Sequence, residues 1–222
     1  MKNPVLKTEK SVTLLGGGQV NREILVDILK SAPILVAADG AADRALAEGL
    51  MPEAVIGDFD SVSQHAREVI PQERLHHIPE QDSTDFEKCL SRIDAPLIFG
   101  VGFTGARVDH ELAVYTALTR HPKQRCIIVG EYDVIAHVPS SISLSLAPGT
   151  RVSLFPMGPV TGRSEGLRWP IEGLHFAPAG RVGTSNEASE AQVLLAFDGP
   201  GMLLILPRSD LAALVQGLAF DA

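Results

Sequence analysis

The sequence predicts an α/β domain on a largely parallel sheet, followed by an all-β module. Three observations carry this expectation. Over the first 130 residues short apolar runs alternate with amphipathic stretches, the pattern of strands and helices layered on one sheet. After about residue 138 the runs become short and β-prone, and turn-forming clusters separate them. The composition, 45% hydrophobic and 21% charged over 222 residues, is that of a globular chain able to bury one large core or two modest ones.

The first-half strands are SVTLL (11–15), ILVAA (34–38), AVI (54–56), HHI (76–78), PLIFG (96–100) and RCIIV (125–129). Between them Ile24, Leu25, Ile28 and Leu29 share one helical face, as do Phe86, Cys89, Leu90 and Ile93, at spacings of three and four. The arrangement is Rossmann-like, and we assign it to residues 1–138. Residues 139–222 form the β module: SISLSL, RVSLF, QVLLAF and MLLIL are divided by APGT, PMGP, APAGRVGTSN and DGPG. The final SDLAALVQGL reads as a closing helix capped by Ser209, or as a last strand.

Charge narrows the function. The net charge is −8, and residues 1–111 carry −7 of it, which argues against nucleic acid or an anionic membrane as partner. Cys89 and Cys126 form no CxxC or zinc pattern and are expected to be buried thiols. No apolar run approaches the roughly 18–20 residues of a membrane span, and MKNPVLKTEK has no signal core, so a cytoplasmic location is the default expectation.

In open α/β sheets ligands bind beyond the carboxyl ends of the strands, and here those ends are acidic. ILVAA leads into Asp39-Gly40, with Asp43 a turn later; AVI leads into Gly57-Asp58-Phe59-Asp60-Ser61; HHI leads into a segment with Asp82 and Asp85; PLIFG leads into a glycine loop ending in Arg107 and Asp109. Gathered carboxylates repel unless a divalent cation or a cationic ligand lies among them. On an extended chain Asp58 and Asp60 would point one way and Phe59 the other; alternatively Asp60 caps a helix from Ser61. Thr84 and Glu87 have capping-box spacing, which leaves Asp85 for a metal or a hydroxyl. Gly100, Gly102 and Gly105 spell G-x-G-x-x-G with Glu131 downstream, a dinucleotide outline that explains none of the acids. A glycine loop with Arg107 suits a polyphosphate, while Asp109 also fits a helix cap paired with Arg107. Gly16–Gly18 allow either a nucleotide approach or a plain turn. His76, His77, His110 and His121 show no ligand clustering. Trp169 is a core residue or a stacking face for a flat cationic heterocycle, with Ser185 and Asn186 to bond its edges.

Taken together, ADGAADRALAEGLMPEAVIGDFDS, QDSTDFEKCL, GFTGARVDHELA, GLRWP and GTSNEA resemble the thiamine pyrophosphokinase family over nearly the whole chain. The resemblance implies an N-terminal α/β domain, a C-terminal β-sandwich and a homodimer with active sites between subunits. It also implies a magnesium-dependent conversion of ATP and thiamine to AMP and thiamine diphosphate. By matching motif, Asp58, Asp60 and Asp85 are the metal-binding acids, and Asp60, Asp85 and Arg107 the catalytic ones, with Asp60 or Asp85 as base. Asp39, Gly40, Thr104, Arg107 and Asp109 fall to nucleotide binding; Gln81, Thr84, Trp169, Ser185 and Asn186 fall to thiamine and its diphosphate. Ala41 and Phe103 depart from the family pattern without touching a metal ligand. Rival expectations are a pyrophosphokinase for a pterin-like hydroxymethyl heterocycle, a nicotinamide-dependent oxidoreductase, and a non-catalytic nucleotide sensor.

Overall fold

The structure is a computed structural model, and it describes residues 4–219. Two compact units divide the chain: one holds the residues up to Ala117 together with Cys126–Glu131, the other Leu118–Arg125 together with the residues from Tyr132 onward. Among the described residues no helix is long and apolar enough to cross a membrane.

The first unit is the α/β one. Its strands are β1 (Leu6–Lys7), β2 (Val12–Leu15), β3 (Ile34–Ala38), β4 (Ala54–Gly57), β5 (Leu75–His77), β6 (Ile93–Asp94), β7 (Ile98–Val101) and β8 (Cys126–Val129). Its helices are α1 (Arg22–Ser31), α2 (Ala41–Ala47), α3 (Gln64–Val69), α4 (Asp85–Leu90) and α5 (Val108–Arg120), which begins here. The strand order β8-β7-β2-β3-β4-β5 is parallel at every pairing. β2, β4, β7 and β8 are buried along their whole length, as a parallel sheet covered on both faces requires. Ala41, Ala42 and Ala45 of α2 join Leu35, Ala37 and Val55 of the sheet in one core cluster; their short side chains let the helix lie close to β3. Both cysteines are buried thiols.

The order has a switch point. From β2 the chain moves outward through β3, β4 and β5, then returns to place β7 on the other side of β2. The crevice between the loops following β2 and β7 is where such sheets bind ligands.

The second unit is antiparallel. It contains β9 (Asp133–His137), β10 (Ser141–Ser145), β11 (Arg151–Pro156), β12 (Gly162–Glu165), β13 (Gly183–Glu187), β14 (Gln192–Phe197), β15 (Met202–Pro207) and α6 (Leu211–Ala219). Two ladders run β13-β11-β15-β9 and β10-β14-β12. Burial alternates along β10 and most of β14, the mark of strands with one face in a core. α6 closes against β10, where a Cβ on Gly217 would stand 2.9 Å from Ile142 and Leu144.

Local chemistry overrides the sequence expectation in four places. Ile93 leaves the α4 stripe and pairs with Leu6 in β6, because α4 stops at Leu90. The cap ahead of α3 is Ser63, which accepts from the Ala66 N–H at 3.1 Å, and not Asp60. Asp109 lies within the first turn of α5 rather than before it. Ser209 sits in a 3-10 turn (Arg208–Asp210) ahead of α6 and donates to Asp210 Oδ2 at 3.0 Å. The strand β9 lies outside the expected set, although its Val134-Ile135-Ala136 run is as long as AVI (54–56).

Candidate active site

The loops after β2 and β7 are laced together by glycines. Gly18 N–H donates to Gly102 O at 2.9 Å, and a Cβ on Gly16 or Gly18 would come within 2.5 or 2.6 Å of that carbonyl. Gly102 itself has φ +82, the left-handed region that glycine enters without strain. Beside this seam opens a pocket of about 420 Å³ lined by Gly17, Asp39, Ser61, Thr84, Asp85, Phe103, Arg107 and His110, within the size range of small-ligand sites. Most of the lining follows a strand end or opens a helix.

Asp39 organises the acidic side. It is 3% exposed with φ +45, and its carboxylate accepts from the backbone N–H of Phe59 (2.6 Å) and Ser61 (3.1 Å). Burial pushes its pKa up, against the pull of those N–H groups. Gly57 is required beside it, since a Cβ there would meet Asp39 Oδ1 at 2.5 Å. Phe59 takes φ +65, so Asp58-Phe59-Asp60 is a tight turn and not extended chain. Arg67 fastens the turn by donating to Phe59 O and lying over its ring, 5.7 Å from the centroid. Asp58 and Asp60 do converge, but through the left-handed residue between them. One carboxylate oxygen from each of Asp39, Asp58 and Asp60 lies within 4.8 Å of the others. Such a set of hard oxygens fits a divalent cation of the magnesium type.

Asp85 stands apart from that triad. It opens α4 behind the Thr84 cap, whose hydroxyl accepts from Glu87 N–H at 3.4 Å, and burial raises its pKa while Lys88 opposes the rise. Asp58 Oδ2 accepts from Lys88 Nζ at 2.8 Å and from Gln81 Nε2 at 3.1 Å; the Lys88 bond leads in holding its pKa low. Across the pocket Arg107 grips Asp109 through two hydrogen bonds, 2.6 and 3.2 Å, both side chains being well exposed. Thr104 is half-buried in the same loop, next to Gly105, whose N–H donates to Glu111 Oε2 at 2.9 Å.

The structure thus brings Asp39, Gly40, Thr84, Asp85 and Arg107 to one pocket, with Asp58, Asp60 and Gln81 joined to it through the turn. Trp169, Ser185 and Asn186 belong to the β unit. Trp169 is 52% exposed, so it is no core residue, and Arg168 lies 4.8 Å from its ring centroid. Asn186 is buried and spends its amide on the Trp169 backbone, accepting from its N–H (3.2 Å) and donating to its C=O (2.7 Å). Ser185 has φ +61 at a register shift, where Thr184 and Ser185 face Ser153 of β11. Its N–H donates to Ser153 Oγ at 3.0 Å, and such bulges re-aim side chains. Among the described residues the non-glycine positive φ angles fall at Asp39, Phe59 and Ser185, all within motifs singled out from sequence.

Sequence reasoning missed Lys88, Glu111 and the pocket position of His110. Signals existed: Lys88 follows Asp85 by three residues, and His110 follows Arg107 by three, each on the same helical face.

Comparison with known proteins agrees over most of the chain. Residues 25–129 match the family profile "Thiamin pyrophosphokinase, catalytic domain", and residues 140–200 match "Thiamin pyrophosphokinase, vitamin B1 binding domain". Thiamine pyrophosphokinase 3 of Oryza sativa is 24% identical over 78% of this chain and 78% of its own length. Thiamine pyrophosphokinase 1 of Arabidopsis thaliana is 24% identical over 88% of this chain and 78% of its own. Among solved structures, thiamin pyrophosphokinase from Geobacillus thermodenitrificans superposes with a TM-score of 0.73 at 22% identity, covering 91% of this chain and 99% of that one. The Candida albicans protein gives 0.74 at 17%, covering 93% and 95%.

Proposed function

The chain belongs to the thiamin pyrophosphokinase family, and from that premise we propose how its own residues transfer the diphosphate of ATP to the hydroxyethyl oxygen of thiamine, releasing AMP. One observation carries the reading: at the switch point of the parallel sheet the Asp39 and Asp85 carboxylates and Arg107 line one pocket, and Asp58 and Asp60 gather beside Asp39. A rim this acidic would repel a triphosphate unless part of its charge is neutralised.

In the reaction the thiamine oxygen bonds to the β-phosphorus, the bond from that phosphorus to the AMP oxygen breaks, and the hydroxyl proton passes to a carboxylate. Asp85 is our choice for that base, because of the two candidates it lines the pocket whereas Asp60 lies on the turn, bonded to the Ser61 hydroxyl at 2.7 Å. Arg107 and the first turn of α5 meet the phosphates, a guanidinium and a helix N-terminus being matched to anionic oxygens. Asp39 shapes the turn that presents Asp58 and Asp60. Those three acids would hold Mg²⁺, which when bound neutralises phosphate charge and favours an in-line approach. Gly40, Thr104 and Asp109 border the nucleotide, and Gln81 and Thr84 the diphosphate being moved. The exposed face of Trp169 offers stacking to the cationic ring of thiamine; Asn186 fixes its loop, and Ser185 supplies an edge hydroxyl. The same reading includes a homodimer, checked by sedimentation at micromolar protein.

The deciding experiment measures AMP release from Mg-ATP with and without thiamine. Release that requires thiamine and matches thiamine diphosphate formed is the expected result. No AMP, AMP without thiamine, or equal turnover with a hydroxymethyl pterin would overturn the reading.

A further inference from the structure

The ammonium of Lys88 has been given no role so far. Its side chain is 2% exposed. It hangs from α4 one turn beyond Asp85 and donates to Asp58 Oδ2 at 2.8 Å and to Asp85 Oδ1 at 3.2 Å. A charge so far removed from water is tolerated only when it is paired, and here the pairing ties two elements together, α4 and the turn after β4. Asp58 is consequently held at both oxygens, Oδ2 by Lys88 and Gln81, Oδ1 by the Asp60 N–H at 3.2 Å. Asp85, excluded from the close triad of Asp39, Asp58 and Asp60, is located by Lys88.

We infer that Lys88 is a positioning residue: a built-in cation that sets Asp58 and Asp85 before any divalent ion arrives, so that the metal enters a site already formed rather than assembling it. This rests on the proposed diphosphotransferase reading and adds to it the division of labour between two cations. The protein cation serves the Asp58–Asp85 side, and the divalent ion the Asp39–Asp58–Asp60 side. Preorganisation of this kind matters because misplacing a charged group by about 1 Å can cost on the order of 100-fold in rate.

The test removes the charge and keeps the stem. In Lys88→Met the full chain should melt about 10 °C lower than wild type in EDTA, the effect of leaving the half-buried Asp58 and Asp85 carboxylates without their cation. Millimolar Mn²⁺ should raise the melting temperature of Lys88→Met by more than it raises that of wild type, because both share the Asp39–Asp58–Asp60 site while only the variant has an ammonium's charge to replace. Turnover with Mn²⁺ present should stay depressed by about 100-fold, with KM for ATP changed far less. The double variant Asp58→Asn/Lys88→Met, which removes both charges, should melt closer to wild type and ignore Mn²⁺. The inference is overturned if Lys88→Met melts with wild type in EDTA, if its loss is indifferent to Mn²⁺, or if kcat is retained. Should Lys88→Met fail to fold, recovery of the fold in the double variant supports the role of charge, and failure of both variants overturns it in favour of packing by the stem. Wild-type AMP release reports on the diphosphotransferase reading separately, since the melts need no substrate.

Discussion

Two aspartates flanking a phenylalanine illustrate how a motif acquires geometry. In Asp58-Phe59-Asp60 the convergence comes from φ +65 at Phe59, a conformation that costs a non-glycine residue about 1 kcal/mol or more and persists because Asp39 and Arg67 hold both edges of the turn. At this scale the two candidate bases separate. Asp85→Asn should lower kcat by about 100-fold or more at saturating Mg²⁺, the range expected for general base catalysis, and by more than Asp60→Asn does; steady-state AMP release on both variants checks the ranking, and a larger loss in Asp60→Asn reverses it.

At the scale of elements, glycine decides how closely strand ends approach. A Gly57→Ala methyl would collide with Asp39 at 2.5 Å, so the variant should lose about 1–3 kcal/mol of stability and, because Asp39 must move, most of its turnover; denaturant melts and AMP assays read the two losses. The antiparallel ladder of the second unit offers a pH test of its own. His137 of β9 accepts from Gly201 N–H at 3.2 Å, and burial holds its pKa below the ordinary 6.5. The unfolded chain therefore binds this proton more readily than the folded one. The stabilisation is complete above about pH 6.5 and is lost as pH falls from there toward the folded value; His76, lowered by the same cause, adds in the same direction. Melting temperature followed from pH 7.5 down to about 5 should fall less steeply in His137→Gln, whose amide oxygen can still accept from Gly201.

For the molecule as a whole, the net charge of −8 with most of it in the first 111 residues sets the terms on which a polyanion can bind. ATP titrated calorimetrically should bind at least about 10-fold more weakly in EDTA than with Mg²⁺, as expected when like charges meet without a counterion; equal affinity would contradict the proposed role of the triad. The apolar runs alone determined the parallel strands β2, β3, β4, β7 and β8, since period and burial are local properties that survive in a string of letters. The motifs equally marked the acids, Arg107 and Trp169, because each lies directly after a strand or in a turn. Only the folded chain decided that Asp39 gathers with Asp58 and Asp60, that Asn186 steadies the Trp169 loop, and that Lys88 is buried between two carboxylates. These facts depend on contacts between segments 17 to 30 residues apart, such as Asp39 with Ser61 and Asp58 with Lys88. Side-chain pairing across such distances is fixed by the strand order and by the closeness the glycines permit, and neither has a local signature in the sequence.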